Sequence, residues 1–74
     1  AILAARALGD PLALRLFLAL SQRDHTMSQF RAMAGLGRSA VNVRLEKLRA
    51  AGLVDTERDG RHLRFVLTDR GRGL

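Results

Sequence analysis

The sequence predicts a mainly α fold with a small β-hairpin (α+β), on three observations. Apolar residues recur at helical spacing as far as residue 51, glycines break that stretch twice, and beyond Gly52 the period changes from 3.6 to 2 around Asp59-Gly60. Residues 1–8 are helix formers closed by Gly9, a residue suited to the left-handed position after a helix end. Asp10-Pro11 restarts the chain, because Asp caps free amides and Pro is tolerated at the first helical position. A second helix over residues 11–21 is apolar nearly all round, so we expect it to be buried on most faces.

Residues 21–25 are polar and read as a loop. Thr26 with Gln29 has the spacing of a capping box, which starts a third helix near residue 28 and carries it to 34. Gly35-Leu36-Gly37 breaks it. A fourth helix over residues 38–51 carries Val41, Leu45 and Leu48 as one apolar stripe. Two short helices joined by a Gly turn make a helix-turn-helix.

Asp59-Gly60 is a two-residue hairpin signal. A turn centred there pairs Arg58 with Arg61, Glu57 with His62, Thr56 with Leu63, Asp55 with Arg64, and Val54 with Phe65. One face then holds Val54, Phe65, Thr56 and Leu63 to cover the helices, and the other matches opposite charges. Thr68 is placed to cap a last helix from residue 69.

Composition narrows the function. Lys plus Arg outnumber Asp plus Glu by 13 to 7 in 74 residues, a net charge of +6 that draws polyanions, nucleic acid first. All the basic residues but Lys47 are Arg, which makes forked bonds to phosphate and guanine. There is no cysteine, so disulfides and thiolate metal sites are excluded. The longest apolar stretch is interrupted by Arg15 and is far short of the ~20 residues a membrane-spanning helix needs, so we expect no membrane partner and a cytoplasmic location. The length allows one domain, residues 1–74. A start without Met and an end in an incipient helix suggest a piece of something longer.

Taken together, the stretches ALGDPLALRLFLAL, TMSQFRAMAGLGRSAVNVRLEKLRAAGLV and DGRHLRFVLTDRGRGL resemble the opening helices, the helix-turn-helix and the wing of winged helix-turn-helix transcriptional regulators of the ArsR and MarR kind. The resemblance covers almost the whole chain, and its middle stretch is the most specific. It implies a three-helix core plus wing, with the helix at 38–51 as recognition helix in the major groove and the wing, 53–67, on the adjacent backbone or minor groove. It also implies a transcriptional regulator, a repressor by family habit, whose partner is double-stranded DNA.

With Val41, Leu45 and Leu48 facing inward, Arg38, Ser39, Asn42, Val43, Glu46 and Lys47 face outward. Arg38 has the chemistry to hold guanine and Asn42 adenine, while Val43 suits a thymine methyl or is a plain exposed aliphatic. Ser39, Arg44 and Lys47 suit phosphate. Glu46, repelled by phosphate, is expected to pair with a neighbouring Arg. Arg58 and Arg61, expected directly opposite each other at the wing tip, are like charges that an anion would relieve. Ser28 and Gln29 are candidates for phosphate, or act only as caps. Arg64 is discounted because Asp55 is expected to hold it.

We expect no catalytic residue, no cofactor and no metal. His25 reads as a loop residue and His62 as a surface one, and neither has a triad partner. Many ArsR relatives sense metal through cysteines in the helix that here runs from Met27 to Met33, and this chain has none. No Walker-type phosphate loop is present. A small domain cannot easily cover every face of the second helix, which points to a homodimer with the first helix, the second helix or a terminal helix at the seam. The resemblance also admits a small-molecule effector. The competing reading is a winged helix that serves as a protein-interaction or scaffold module, which has no need for Arg38, Ser39, Asn42 and Lys47 on one face together with a basic wing tip. RNA binding is disfavoured because Phe17, Phe30 and Phe65 all fall at core positions rather than on a stacking surface.

Overall fold

A computed structural model describes residues 2–73. The first residue expected to be helical, Ala1, and the terminal Leu74 lie outside the described residues. Five helices and three strands follow in the order α1 (Ile2–Leu8), α2 (Pro11–Gln22), β1 (His25–Thr26), α3 (Met27–Ala34), α4 (Arg38–Ala50), β2 (Val54–Asp59), β3 (His62–Leu67) and α5 (Asp69–Arg72).

The helix boundaries follow from local chemistry. Asp10 Oδ1 accepts hydrogen bonds from the amides of Leu12 (2.9 Å) and Ala13 (3.3 Å), with Pro11 as the first residue of α2. Thr26 and Gln29 form the reciprocal box: Thr26 Oγ1 accepts from the Gln29 amide, and Gln29 Oε1 accepts from the Thr26 amide. Gly35, at φ 68°, closes α3 in the left-handed conformation that glycine adopts without a Cβ penalty. Val41, Leu45 and Leu48 are fully buried along one stripe of α4. They pack with Leu16, Phe30 and Leu53 in a core that also takes in Phe17, Leu20, Val54 and Phe65.

The strands form an antiparallel sheet in the order β1-β3-β2. Its hairpin differs from the sequence expectation by two residues. Val54 faces Leu67, Thr56 faces Phe65, Glu57 faces Arg64, Arg58 faces Leu63, and Asp59 faces His62. The tip is therefore Gly60-Arg61, and only Gly60 has a positive φ (60°), the pattern of a type II′ rather than a type I′ turn. The physical reason lies at the other end of the hairpin. The expected register sets Leu67 against Gly52, whose φ of 77° ends α4 and cannot extend a strand, whereas the observed one sets it against Val54. A slip of two preserves the faces but moves every pair, so Arg58 and Arg61 are not opposite each other and Asp55 does not face Arg64. Leu63, expected to cover the helices, sits nearer the tip and is 42% exposed.

Residues 21–25 are also not a plain loop. Helix α2 continues through Gln22, and His25 enters β1 opposite Phe65. His25 is buried rather than exposed: its ring stacks on Phe30 with centroids 4.9 Å apart, and Nδ1 lies 2.8 Å from the carbonyl oxygen of Arg23. The stack on Phe30 and the Arg23 carbonyl as partner for Nδ1 support the burial of this ring.

Thr68 ties the end of the wing to the end of α4. Its hydroxyl donates to the Gly52 carbonyl (2.6 Å) and accepts from the Gly71 amide (3.0 Å), while its own amide bonds the Leu53 carbonyl (3.1 Å). Gly71 fits against Leu53 so closely that an added Cβ would overlap the Leu53 carbonyl oxygen, a backbone atom that cannot step aside. Gly71→Ala should therefore destabilise by about 1–3 kcal/mol, the usual cost of overpacking. Each kcal/mol should appear as a fall of about 4–8 °C in the thermal midpoint. An unchanged midpoint would show that α5 does not dock here.

Candidate nucleic-acid interface

The stripe that buries Val41, Leu45 and Leu48 fixes which side of α4 looks outward. Arg38, Ser39, Asn42, Val43, Glu46 and Lys47 are all exposed, as the helical period requires. Gly37 supplies no side-chain cap to the first amides of α4, so none of the neighbouring polar side chains is used up there.

An open groove of about 510 Å³ runs between the start of α3, the first turns of α4 and the wing. Thr26, Met27 and Ser28 line it from the α3 side, Arg38 and Asn42 from α4, and Arg61, His62, Leu63 and Phe65 from the wing. Four of the residues expected from sequence, Ser28, Arg38, Asn42 and Arg61, thus come together around it. The groove contains no carboxylate. Met27, His62, Leu63 and Phe65 were not among the expected site residues. Their membership depends on the fold of the wing back over α3, a contact that no local pattern reports.

The remaining candidates are placed elsewhere. Ser39 and Val43 (51% exposed) lie on α4 outside the groove lining. Gln29 is exposed, with its carbonyl oxygen engaged in the α3 cap. Lys47 flanks a shallow hollow on the α1 side together with Arg6. Arg58 is exposed on β2 opposite Leu63. Arg44 turns the other way, toward α2: its Nε lies 3.3 Å from Asp10 Oδ2, and its Nη1 donates to the Ala40 carbonyl at 3.0 Å.

Charge on the wing is segregated by the strand period. Asp55, Glu57 and Asp59 share one face with Arg64, which faces Glu57 and brings Nη2 to 4.0 Å from Asp59 Oδ2. Arg58 points to the opposite face, away from those acids. Among the described residues, Arg38, Lys47, Arg58 and Arg61 take part in no ion pair, whereas Arg49 is paired with Glu46 at 3.1 Å. Of these four, Arg38 and Arg61 line the groove, Lys47 lies on the outer face of α4 and Arg58 on the wing; among the described residues Arg6, Arg15, Arg23, Arg31 and Arg70 are also outside any ion pair, away from the groove lining. Desolvation disfavours the Asp10 carboxylate, but hydrogen bonds from Ala13 and Leu12 and the charges of Arg44 and Lys47 outweigh it and hold that carboxyl below its ordinary range.

Among the described residues no group of three or more His, Cys, Asp or Glu is placed to hold a metal ion. No described helix is long and apolar enough to cross a membrane.

A family model described as MarR family matches residues 10–64, from Asp10 through Arg64. The chain belongs to the MarR family. The MarR match includes every candidate residue named above and all of the groove lining except Phe65. Over 64 residues the chain is 41% identical to the HTH-type transcriptional regulator CmtR of Mycobacterium bovis, covering 86% of this chain and 54% of that protein. The same figures hold for CmtR of Mycobacterium tuberculosis. The chain thus spans about half the length of the curated relatives it matches. Among solved structures, HlyU from Vibrio cholerae superimposes with a TM-score of 0.87 at 19% identity, covering 97% of this chain and 79% of that one. A structure described as a possible transcriptional regulator for arsenical resistance gives 0.81 at 29% identity, covering 92% and 71%. The fold of this MarR-family chain is a winged helix-turn-helix, with α3 and α4 as the helix-turn-helix and the β2-β3 hairpin as the wing.

Proposed function

We propose that this MarR-family chain is the DNA-reading part of a transcriptional regulator, a repressor, that binds double-stranded DNA with sequence preference. The observation that carries the reading is the groove, where Arg38 and Asn42 of α4 meet Ser28 of α3 and Arg61 of the wing with no carboxylate between them. Helix α4 enters the major groove N-terminus first, so that Arg38 forks onto guanine O6 and N7 and Asn42 onto adenine N6 and N7, with Val43 against a thymine methyl. Ser28, Gln29, Ser39 and Lys47 contact phosphate and set the register. Arg58 and Arg61 lie along the adjacent backbone or in the minor groove, where a narrow groove concentrates negative potential.

The working unit is a homodimer in the cytoplasm. Leu14 and Leu18, one turn apart on α2, are 38% and 52% exposed, and a second copy is the natural cover for them. Two-fold pairing sets the recognition helices about 34 Å apart, one turn of DNA.

Selection from a pool of random duplexes tests this. The expected result is an enriched palindrome whose affinity falls linearly with salt on logarithmic axes. Indiscriminate binding with no enriched motif would overturn sequence reading, and an enriched site without two-fold symmetry would overturn the dimer.

A further inference from the structure

Of the four basic residues on α4, Arg49 is paired with Glu46, Arg38 and Lys47 are unpaired, and Arg44 is held from outside the helix by Asp10. We propose that Arg44 is a positioning residue: clamped by Asp10, it fixes the recognition helix against the start of α2 and is withheld from DNA phosphate. The inference rests on the DNA-binding reading and assigns Arg44 a different task from the phosphate contact its sequence position suggests.

The division of labour within the Asp10 carboxylate is what carries it. Oδ1 is committed to the amides of Leu12 and Ala13, which start α2, and Oδ2 meets Arg44. One side chain thus begins the helix that supplies Ala13, Leu16 and Leu20 to the core and also grips the middle of α4. The guanidinium is held at a second point by the Ala40 carbonyl, one turn earlier on α4. Its Nε is closed off from water and makes no hydrogen bond, so the Asp10 carboxylate beside it acts as counter-charge alone. Moving Arg44 to a phosphate would break the ion pair and the Ala40 bond and take from the Asp10 carboxylate its ion-pair partner, while Oδ1 stays with the α2 amides. Staying in place, the pair is electrically silent toward DNA. Its effect is on geometry, since the angle of α4 against α2 decides which base edges Arg38 and Asn42 reach.

Arg44→Gln, Asp10→Asn and the double variant test the clamp in the full chain. Asn is as good an N-cap as Asp, so Asp10→Asn keeps the start of α2 while removing the charge. With Arg44→Gln, the salt slope on random duplex should match wild type, because no phosphate contact is lost, while the ratio of selected-site to random-duplex affinity should fall roughly 3- to 10-fold. The double variant should lose no more of that ratio than either single one. A slope shallower by about 0.9 would show that Arg44 neutralises a phosphate and would overturn the proposal. Additive losses would overturn it too. The titration of the Asp10 carboxyl, followed by carbon NMR without DNA, should shift upward in Arg44→Gln, and an unmoved midpoint would dispose of the clamp. Wild-type protein that binds no duplex would instead defeat the DNA-binding reading, with the carboxyl titration still deciding whether Asp10 and Arg44 are coupled.

Discussion

Phe30→Ala should cost about 3–5 kcal/mol of stability, the usual loss for a fully buried Phe. The ring has no exposed surface, and it links α3 to the wing through Phe65. On one side His25 of β1 stacks on it, and on another Phe65 of β3 packs tilted at 5.9 Å. Removing it therefore opens a cavity beneath the groove and releases a stacked pair, and neither neighbour is a flexible side chain able to fill the gap. A chain of 74 residues has on the order of 4–11 kcal/mol in total. The variant should consequently lose about a quarter or more of its stability, as urea denaturation followed by circular dichroism would show. A loss under 1 kcal/mol would mean that the wing is not seated on α3 as described.

Arg38→Ala and Asn42→Ala should each lower affinity for the selected DNA site by about 1–3 kcal/mol, roughly 5- to 150-fold, with little change in thermal stability. Both residues are exposed, so neither contributes to the core, and they lie one turn apart on the same side of α4 facing the groove. The decisive feature is selectivity. Each variant should relax sequence preference at the base it reads, whereas Lys47→Ala should weaken binding about evenly across sequences and make the salt slope shallower by about 0.9. Equal losses on selected and random duplexes for Arg38→Ala and Asn42→Ala would assign both residues to the backbone and remove the basis for sequence reading by α4.

What the sequence showed and what it hid divide along a physical line. Helix ends were legible because their causes are local: Asp10 with Pro11, Thr26 with Gln29, and Gly35 each act within a turn of the residues they organise. The outward face of α4 was legible for the same reason, since three apolar residues at i, i+4 and i+7 leave only one side for Arg38 and Asn42. The hairpin register was not. A slip of two residues leaves every side chain on its original face, so alternation alone cannot tell Asp59-Gly60 from Gly60-Arg61 as the turn. What decides is Gly52, whose backbone cannot continue β2. Strand β1 was hidden because two residues carry no period, and His25 was misplaced along with it. Arg44 illustrates the same limit within the site: its position on α4 suggests phosphate, and only the fold brings Asp10 beside it.

On the proposed reading, α4 and the wing together form the face that receives DNA. Amide NMR spectra of the protein titrated with a duplex carrying the selected site test it most directly. The prediction is that perturbations concentrate at residues 38–43, at residues 58–63 and at Ser28, and fade over α2. No perturbation at α4 or the wing under saturating duplex would contradict it and leave the chain a winged helix that docks on something other than DNA.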